Sequence, residues 1–176
     1  DARVGPYRIL RLVNRGGQGT VYLGYDNRLR RQVAIKIYTL PRERIARQRL
    51  LREAQLIASI QSPKVVQIYD VIESREHLAM VMEYVPGCDL EEFLAVVKPS
   101  LASILTICAD IAGALTVARQ QRIVHGDLKA ANVLIAKNGR VKLTDFGIAG
   151  HVAAAGTQSG SYSCVSPEQY SGKPLN

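Results

Sequence analysis

The apolar pattern of this chain changes character at Pro86-Gly87, and that change limits the fold more than any other feature of the sequence. Before it, alternation dominates. Tyr7-Arg-Ile-Leu-Arg-Leu-Val13 alternates, Asn14 to Thr20 reads as a Gly-rich turn, and Val21-Tyr22-Leu23-Gly24-Tyr25 resumes the strand pattern. Asp26-Asn27 marks the next turn and Arg31 to Tyr38 a third strand. Val65–Glu73 and His77–Tyr84 follow as two more, joined by Ser74-Arg75-Glu76. One helical segment interrupts this run, from Pro41 to Ser59 or Ile60. Its Leu50, Glu53, Ile57 and Ile60 fall on one face at three- and four-residue intervals. After the break come a short helix from Asp89 and a long one over Leu101–Gln121. Short apolar pairs in loops and small strands follow from Val124 to Val141, and then an Ala-, Gly- and Ser-rich loop over His151–Ser163. Strands first and helices second predict an α+β fold with an antiparallel meander, and argue against a doubly wound sheet. The boundary divides the chain into residues 1–85 and 86–176.

Composition narrows the setting. With 47% hydrophobic and 22% charged residues the chain can bury a core, largely aliphatic because tryptophan is absent. The net charge is +8, and five arginines between Arg42 and Arg52 supply much of it. No aromatic residue interleaves them, so a solvated helix face is expected and no nucleic-acid partner. Cys88, Cys108 and Cys164 are odd in number and form no C-x-x-C pair, which supports neither a disulfide framework nor zinc. A reducing, cytoplasmic setting is expected. Leu101 to Ala118 holds a single charge, Asp110, but also Ser103, Thr106, Gly113 and Thr116. A buried core helix is expected there and no membrane span.

Three groups of residues carry chemistry. Asn14-Arg-Gly16-Gly17-Gln-Gly19-Thr-Val21 can bring backbone N–H groups close to phosphate oxygens, although an ordinary tight turn has the same composition. In Val33-Ala34-Ile35-Lys36-Ile37-Tyr38, alternation puts Lys36 on one face with Ala34 and Tyr38. Glu53 on the following helix is the matching oddity, an acid within an apolar stripe. Two inward charges explain each other if they pair, since breaking a buried pair costs roughly 3–5 kcal/mol. The third group is His125-Gly-Asp127-Leu-Lys129-Ala-Ala-Asn132, followed by Asp145-Phe146-Gly147. One of Asp127 and Asn132 can serve as a base while the other binds metal, and Asp145 adds a second hard oxygen ligand of the kind Mg²⁺ prefers.

In this order and spacing the chain resembles the catalytic domain of eukaryotic-type (Hanks-type) protein kinases, most of all the bacterial Ser/Thr kinases, from about Tyr7 to its end. The resemblance implies a bilobal fold: a five-stranded antiparallel sheet plus one helix in residues 1–85, and an incomplete helical lobe in 86–176. It implies ATP and Mg²⁺ as cofactors and Ser or Thr hydroxyls of a protein as acceptors. Asp127 would be the catalytic base, Lys129 would steady the transferring phosphate, and Lys36, paired to Glu53, would hold phosphate oxygens. Asn132 and Asp145 would hold Mg²⁺. The nucleotide site would comprise Val13, Asn14, Gly16, Gly17, Gly19, Val21, Ala34, Lys36, Met82, Glu83, Val85, Asp89 and Leu134. Within it Glu83 C=O and Val85 N–H would meet adenine, Met82 would be the gatekeeper and Asp89 would meet the ribose. Ile57, Ile68, His125 and Phe146 would stack into an internal column, and Ser161 and Ser166-Pro167-Glu168 resemble parts of the activation segment.

Departures from that pattern carry expectations of their own. Asn14 replaces the first glycine of the phosphate loop and Gln18 a usual aromatic, which predicts altered ATP affinity without loss of chemistry. Gly126 stands where many of these kinases carry arginine, so phosphate at Thr157 or Ser159 is expected to matter less. Only eight residues follow Glu168, where the family continues with several helices. A fragment, a fold completed by a partner and a natural short form all fit this. In each case one face of Leu101–Gln121 stays unburied, which invites self-association or a partner, with no membrane in this segment. The cytoplasmic location covers a free protein and the cytosolic part of a longer membrane-anchored one. Two other functions stay open: a small-molecule phosphotransferase, and an ATP-binding pseudokinase scaffold without turnover.

Overall fold

Alternation along the Arg31–Thr39 strand organises the first of two units. The computed structural model describes residues 2–16, 19–40 and 43–146. Gly17, the loop read over His151–Ser163, Cys164, Ser166-Pro167-Glu168 and the onset of the first helix at Pro41 lie outside them. The first unit comprises residues 1–58 and 67–84, the second 59–66 and 85–176.

In the first unit, β1 (Arg3–Val4), β2 (Tyr7–Gly16), β3 (Gly19–Asp26), β4 (Arg31–Thr39), β5 (Ile68–Glu73) and β6 (His77–Glu83) form an antiparallel sheet in the order β1-β2-β3-β4-β6-β5. The sheet has six strands and not the five expected, because Arg3–Val4 pairs back on Tyr7 and Arg8 at the edge. Val33, Ile35, Ala79 and Val81 point to one face and are buried there with Tyr7, flanked by Val4, Ile9, Tyr22, Ile37 and Ile72. Burying each of the larger of these side chains contributes roughly 1.5–3 kcal/mol. Tyr7 ends in water-poor surroundings but keeps its hydroxyl satisfied, donating to Asp70 Oδ2 at 3.2 Å. The opposite face carries Ala34, Lys36 and Tyr38, whose register partners on β6 are Met82, Met80 and Leu78. Helix α1 (Arg44–Ala58) runs beside β5 and buries Leu50, Ala54 and Ile57.

The segment read as a strand from Val65 divides. Ile68–Glu73 joins the sheet, whereas Val65 bridges Leu143 and Val66 N–H donates to Leu143 C=O at 2.9 Å. Ser59–Val66 therefore belongs to the second unit. That unit contains β7 (Gly87–Asp89), α2 (Leu90–Val96), α3 (Leu101–Gln120), a 3₁₀ turn (Ala130–Asn132), β8 (Val133–Ala136) and β9 (Val141–Leu143). β7, β8 and β9 form a small antiparallel sheet. Gly87 is required by close approach, since a Cβ there would overlap the Ile135 carbonyl.

Capping explains both helix starts. Asp89 accepts from Glu92 N–H at 2.8 Å and Ser100 from Ser103 N–H at 3.2 Å. Helix α3 keeps the unburied face expected of Leu101–Gln121 and so corrects the companion expectation of a buried core helix. Its second half is anchored: Ala114 and Ala118 are buried, the helix lies on β9, and Asp110 pairs with Lys64 at 2.9 Å. Its first half is not, for Leu101 is 71% exposed, Ile104 43% and Leu105 60%. By length and composition α3 is long and apolar enough to cross a membrane.

Candidate active site

The predicted functional residues fall into two groups, one in each unit. In the first unit, β3 and β4 set Val21 opposite Lys36, and β4 and β6 set Ala34 opposite Met82 and Val33 opposite Glu83. Lys36 is only 4% exposed, an ammonium withdrawn from water. Glu53 sits half-buried on α1 between turns that carry Leu50, Ala54 and Ile57, and its Oε2 is shielded from solvent. The Gly-rich segment is a hairpin: Asn14 pairs with Val21, Arg15 with Thr20 and Gly16 with Gly19. Gly19 has φ +132°, and a Cβ there would lie 2.6 Å from the Ile37 carbonyl oxygen. Glycine is therefore what lets this hairpin lie down on β4. Val13, on β2, is exposed.

The second group is tied together by hydrogen bonds. Asp127 Oδ2 lies 2.9 Å from Lys129 Nζ. Asn132, buried in the 3₁₀ turn, donates from Nδ2 to Asp127 C=O at 2.8 Å and to Asp127 Oδ2 at 3.1 Å. With both amide protons committed to Asp127, the Asn132 oxygen faces away from it as an oxygen donor. Thr144 N–H donates to Asn132 C=O at 2.9 Å, which brings Asp145 beside this turn. Asp145 adopts φ +57°, a left-handed conformation unusual for a residue with a side chain. Such local strain, about 1–3 kcal/mol, persists where the surroundings fix it, and it clusters at functional sites. Leu134 is the register partner of Asp89, whose Oδ1 is engaged as the α2 cap.

Two residues connect the loops. His125 is buried and its ring lies 4.5 Å from that of Phe146. Asp127 N–H donates to His125 Nδ1 at 3.3 Å, so Nδ1 is unprotonated and Nε2–H donates to Thr144 C=O at 2.9 Å. Gly126, at φ +75°, makes the turn that brings Asp127 N–H back to the ring. The sequence offered no signal for Thr144, whose role lies in its backbone alone.

Burial lowers the His125 pKa below its ordinary 6.5, against the raising effects of the Thr144 hydrogen bond, Asp127 and Asp145. A neutral ring in the folded state and a titrating one in the unfolded state mean that the unfolded chain binds more protons below about pH 6.5. The stability due to neutral His125 is complete above that value and is lost as pH falls through it. Thermal melts at about pH 7.5 and about pH 5 are expected to show this loss in the wild type and a smaller one in His125→Gln, which cannot titrate. Equal losses in both proteins would remove His125 as the cause.

Asn132 and Asp145 suit a hard divalent cation. Mg²⁺ takes few protein ligands and fills its octahedral shell with phosphates and water. Among the described residues no group of three or more His, Cys, Asp or Glu side chains forms a dedicated metal cage. This donor set fits an ion that arrives with a phosphate ligand.

Residues 7–175 match the protein kinase domain family. The chain is 40% identical, over 96% of its length, to the serine/threonine-protein kinase PrkC of Bacillus subtilis, of which it covers 27%. It is 36% identical over 98% of its length to the serine/threonine-protein kinase pkn2 of Myxococcus xanthus, covering 22% of that protein. It thus spans about a quarter of the length of these curated relatives. The crystal structure of the PknI kinase domain of Mycobacterium tuberculosis superposes with a TM-score of 0.82 at 26% identity. That match covers 99% of this chain and 68% of the solved one.

Proposed function

We infer a protein kinase's reaction for this chain, because it belongs to the protein kinase domain family: transfer of the γ-phosphate of MgATP to Ser or Thr hydroxyls of a protein. The observation that carries this reading is the clamp on Asp127, with Lys129 Nζ at 2.9 Å and Asn132 Nδ2 at 3.1 Å from the same carboxylate oxygen. A base held this firmly, beside a cation, suits a reaction that rests on alignment and electrostatics.

The roles follow from the groups present. Asp127 takes the proton of the acceptor hydroxyl while its oxygen bonds to the γ-phosphorus. The bond to the bridging oxygen breaks, and ADP leaves with the electron pair. Lys129, one hydrogen bond away, neutralises charge on the moving phosphoryl group. Asn132 and Asp145 would hold Mg²⁺, whose positive charge offsets that of the phosphates when it is bound. Lys36, oriented by Glu53, takes phosphate oxygens, and the Asn14–Gly19 hairpin covers them with backbone N–H groups. Val21, Ala34 and Leu134 would sandwich the adenine, with Val13 a further nucleotide contact; Glu83 and Val85 would bond its edge beside Met82, and Asp89 would meet the ribose. The Asp-Leu-Lys-x-x-Asn form supports Ser and Thr as acceptors. A protein substrate in the cytoplasm, for a free or membrane-anchored parent, completes the reading.

The test is incubation of the chain with γ-labelled ATP, Mg²⁺ and a protein acceptor, followed by phosphoamino-acid analysis. Label on Ser or Thr is expected, and none when Mg²⁺ is chelated. MgATP binding without any transfer would make the chain a nucleotide-binding scaffold. Transfer to aminoglycosides or choline in preference to protein would make it a small-molecule phosphotransferase.

A further inference from the structure

We propose that Tyr38 is a positioning residue for phosphate binding: its ring holds the Lys36 ammonium from one side and supports the root of the Gly-rich hairpin from below. The proposal rests on the kinase reading above.

Strand geometry places the two side chains together. Lys36 and Tyr38 are two residues apart on β4 and share one face of the sheet. The Lys36 Nζ lies 5.2 Å from the centroid of the Tyr38 ring, within the range over which a cation is drawn to an aromatic face. Both residues are only 4% exposed, so water competes little for the ammonium and the ring cannot swing into solvent. Desolvation is the condition under which this attraction is largest. Opposite Tyr38 across the strand pair stands Leu78, fully buried, which leaves the ring no apolar exit on that side.

The same ring reaches the hairpin. Tyr38 Cδ1 lies 3.7 Å from where a Gly19 Cβ would be, and the Ile37 carbonyl is nearer still. Gly19 therefore rests directly on the Ile37–Tyr38 stretch of β4. One side chain thus lies beside the two parts of the unit that the kinase reading assigns to phosphate oxygens, the Lys36 ammonium and the Gly19 end of the hairpin. An aliphatic residue at position 38 would fill part of the space but offer no electron-rich face to a cation.

The test separates the ring's charge distribution from its bulk. In the nucleotide-free chain, the ε-CH₂ protons of Lys36 are expected to show an upfield ring-current shift by NMR, kept in Tyr38→Phe and lost in Tyr38→Leu. Equilibrium binding of MgATP should weaken between about 3-fold and 30-fold in Tyr38→Leu and by less than about 3-fold in Tyr38→Phe. Phenylalanines with increasing ring fluorination, incorporated at position 38, keep the shape while draining the face of negative charge. Affinity should fall stepwise along that series at unchanged melting temperature. A flat series in a chain that binds MgATP, or an unshifted Lys36 signal, would overturn the role given to Tyr38 and leave the kinase reading intact. A folded wild-type chain that binds no MgATP would sink both, and the Lys36 signal would then report only a structural contact.

Discussion

Asp127→Asn is expected to lower phosphate transfer by about 10²–10⁴-fold while leaving MgATP affinity within about twofold of the wild type. The substitution is nearly isosteric, and an amide oxygen can still accept from Asn132 Nδ2, which now lies 3.1 Å from Oδ2 and 2.8 Å from the backbone carbonyl. What it cannot do is take up the proton of an attacking hydroxyl. It also removes the negative charge 2.9 Å from Lys129 Nζ. Because Lys129 retains partial access to water, that unpaired cation should cost little stability. The loss therefore belongs in turnover, not in binding or folding. Labelled phosphate transferred per chain, measured beside equilibrium nucleotide binding and a melting curve, checks all three. An Asp127→Asn protein that kept more than about a tenth of wild-type transfer would show that proton removal by this carboxylate is not the step being helped.

Much of this site was legible because it breaks the pattern of its surroundings. Lys36 is a charge in an apolar strand and Glu53 a charge in an apolar stripe; the first is buried and the second half-buried with its Oε2 shielded. Asp127, Lys129, Asn132 and Asp145 declared themselves by spacing, and the first three are joined by direct hydrogen bonds and an ion pair. The joining elements were not legible. Strand β1 is two residues long, too short for alternation to register. Val65 and Val66 continue an apolar run into β5, and periodicity cannot say that they pair with β9 instead. Composition read α3 as core, and only the shortness of the chain after Glu168 pointed to its unburied face; neither could say that the exposed part is the first half. Thr144 and the tautomer of His125 were hidden for a different reason: backbone acceptors leave no mark on side-chain identity.

Asn132 is where local structure and chemistry are hardest to separate, and two substitutions divide them. Asn132→Ala removes both donors to Asp127 and the oxygen offered to a cation, so transfer should fall on the order of 10²–10³-fold. Removing two hydrogen bonds from a part-buried aspartate, whose Oδ2 keeps Lys129 Nζ at 2.9 Å, should also cost about 1–3 kcal/mol of stability. Asn132→Asp retains an oxygen ligand and adds charge, yet it loses the clamp and sets a second carboxylate at the place where Nδ2 now lies 3.1 Å from Asp127 Oδ2. Two acids in such contact cannot both ionise without penalty, and the base is the group whose proton affinity is disturbed. Mg²⁺-dependent nucleotide binding should therefore survive better in Asn132→Asp than in Asn132→Ala, while phosphate transfer is impaired in both. Combining either change with Asp127→Asn should add little further loss, since residues that act as one unit do not multiply when removed together. Transfer near the wild-type rate in Asn132→Asp would mean that the oxygen ligand alone matters. The two hydrogen bonds that tie the 3₁₀ turn to Asp127 would then be scaffolding, with no part in holding the base.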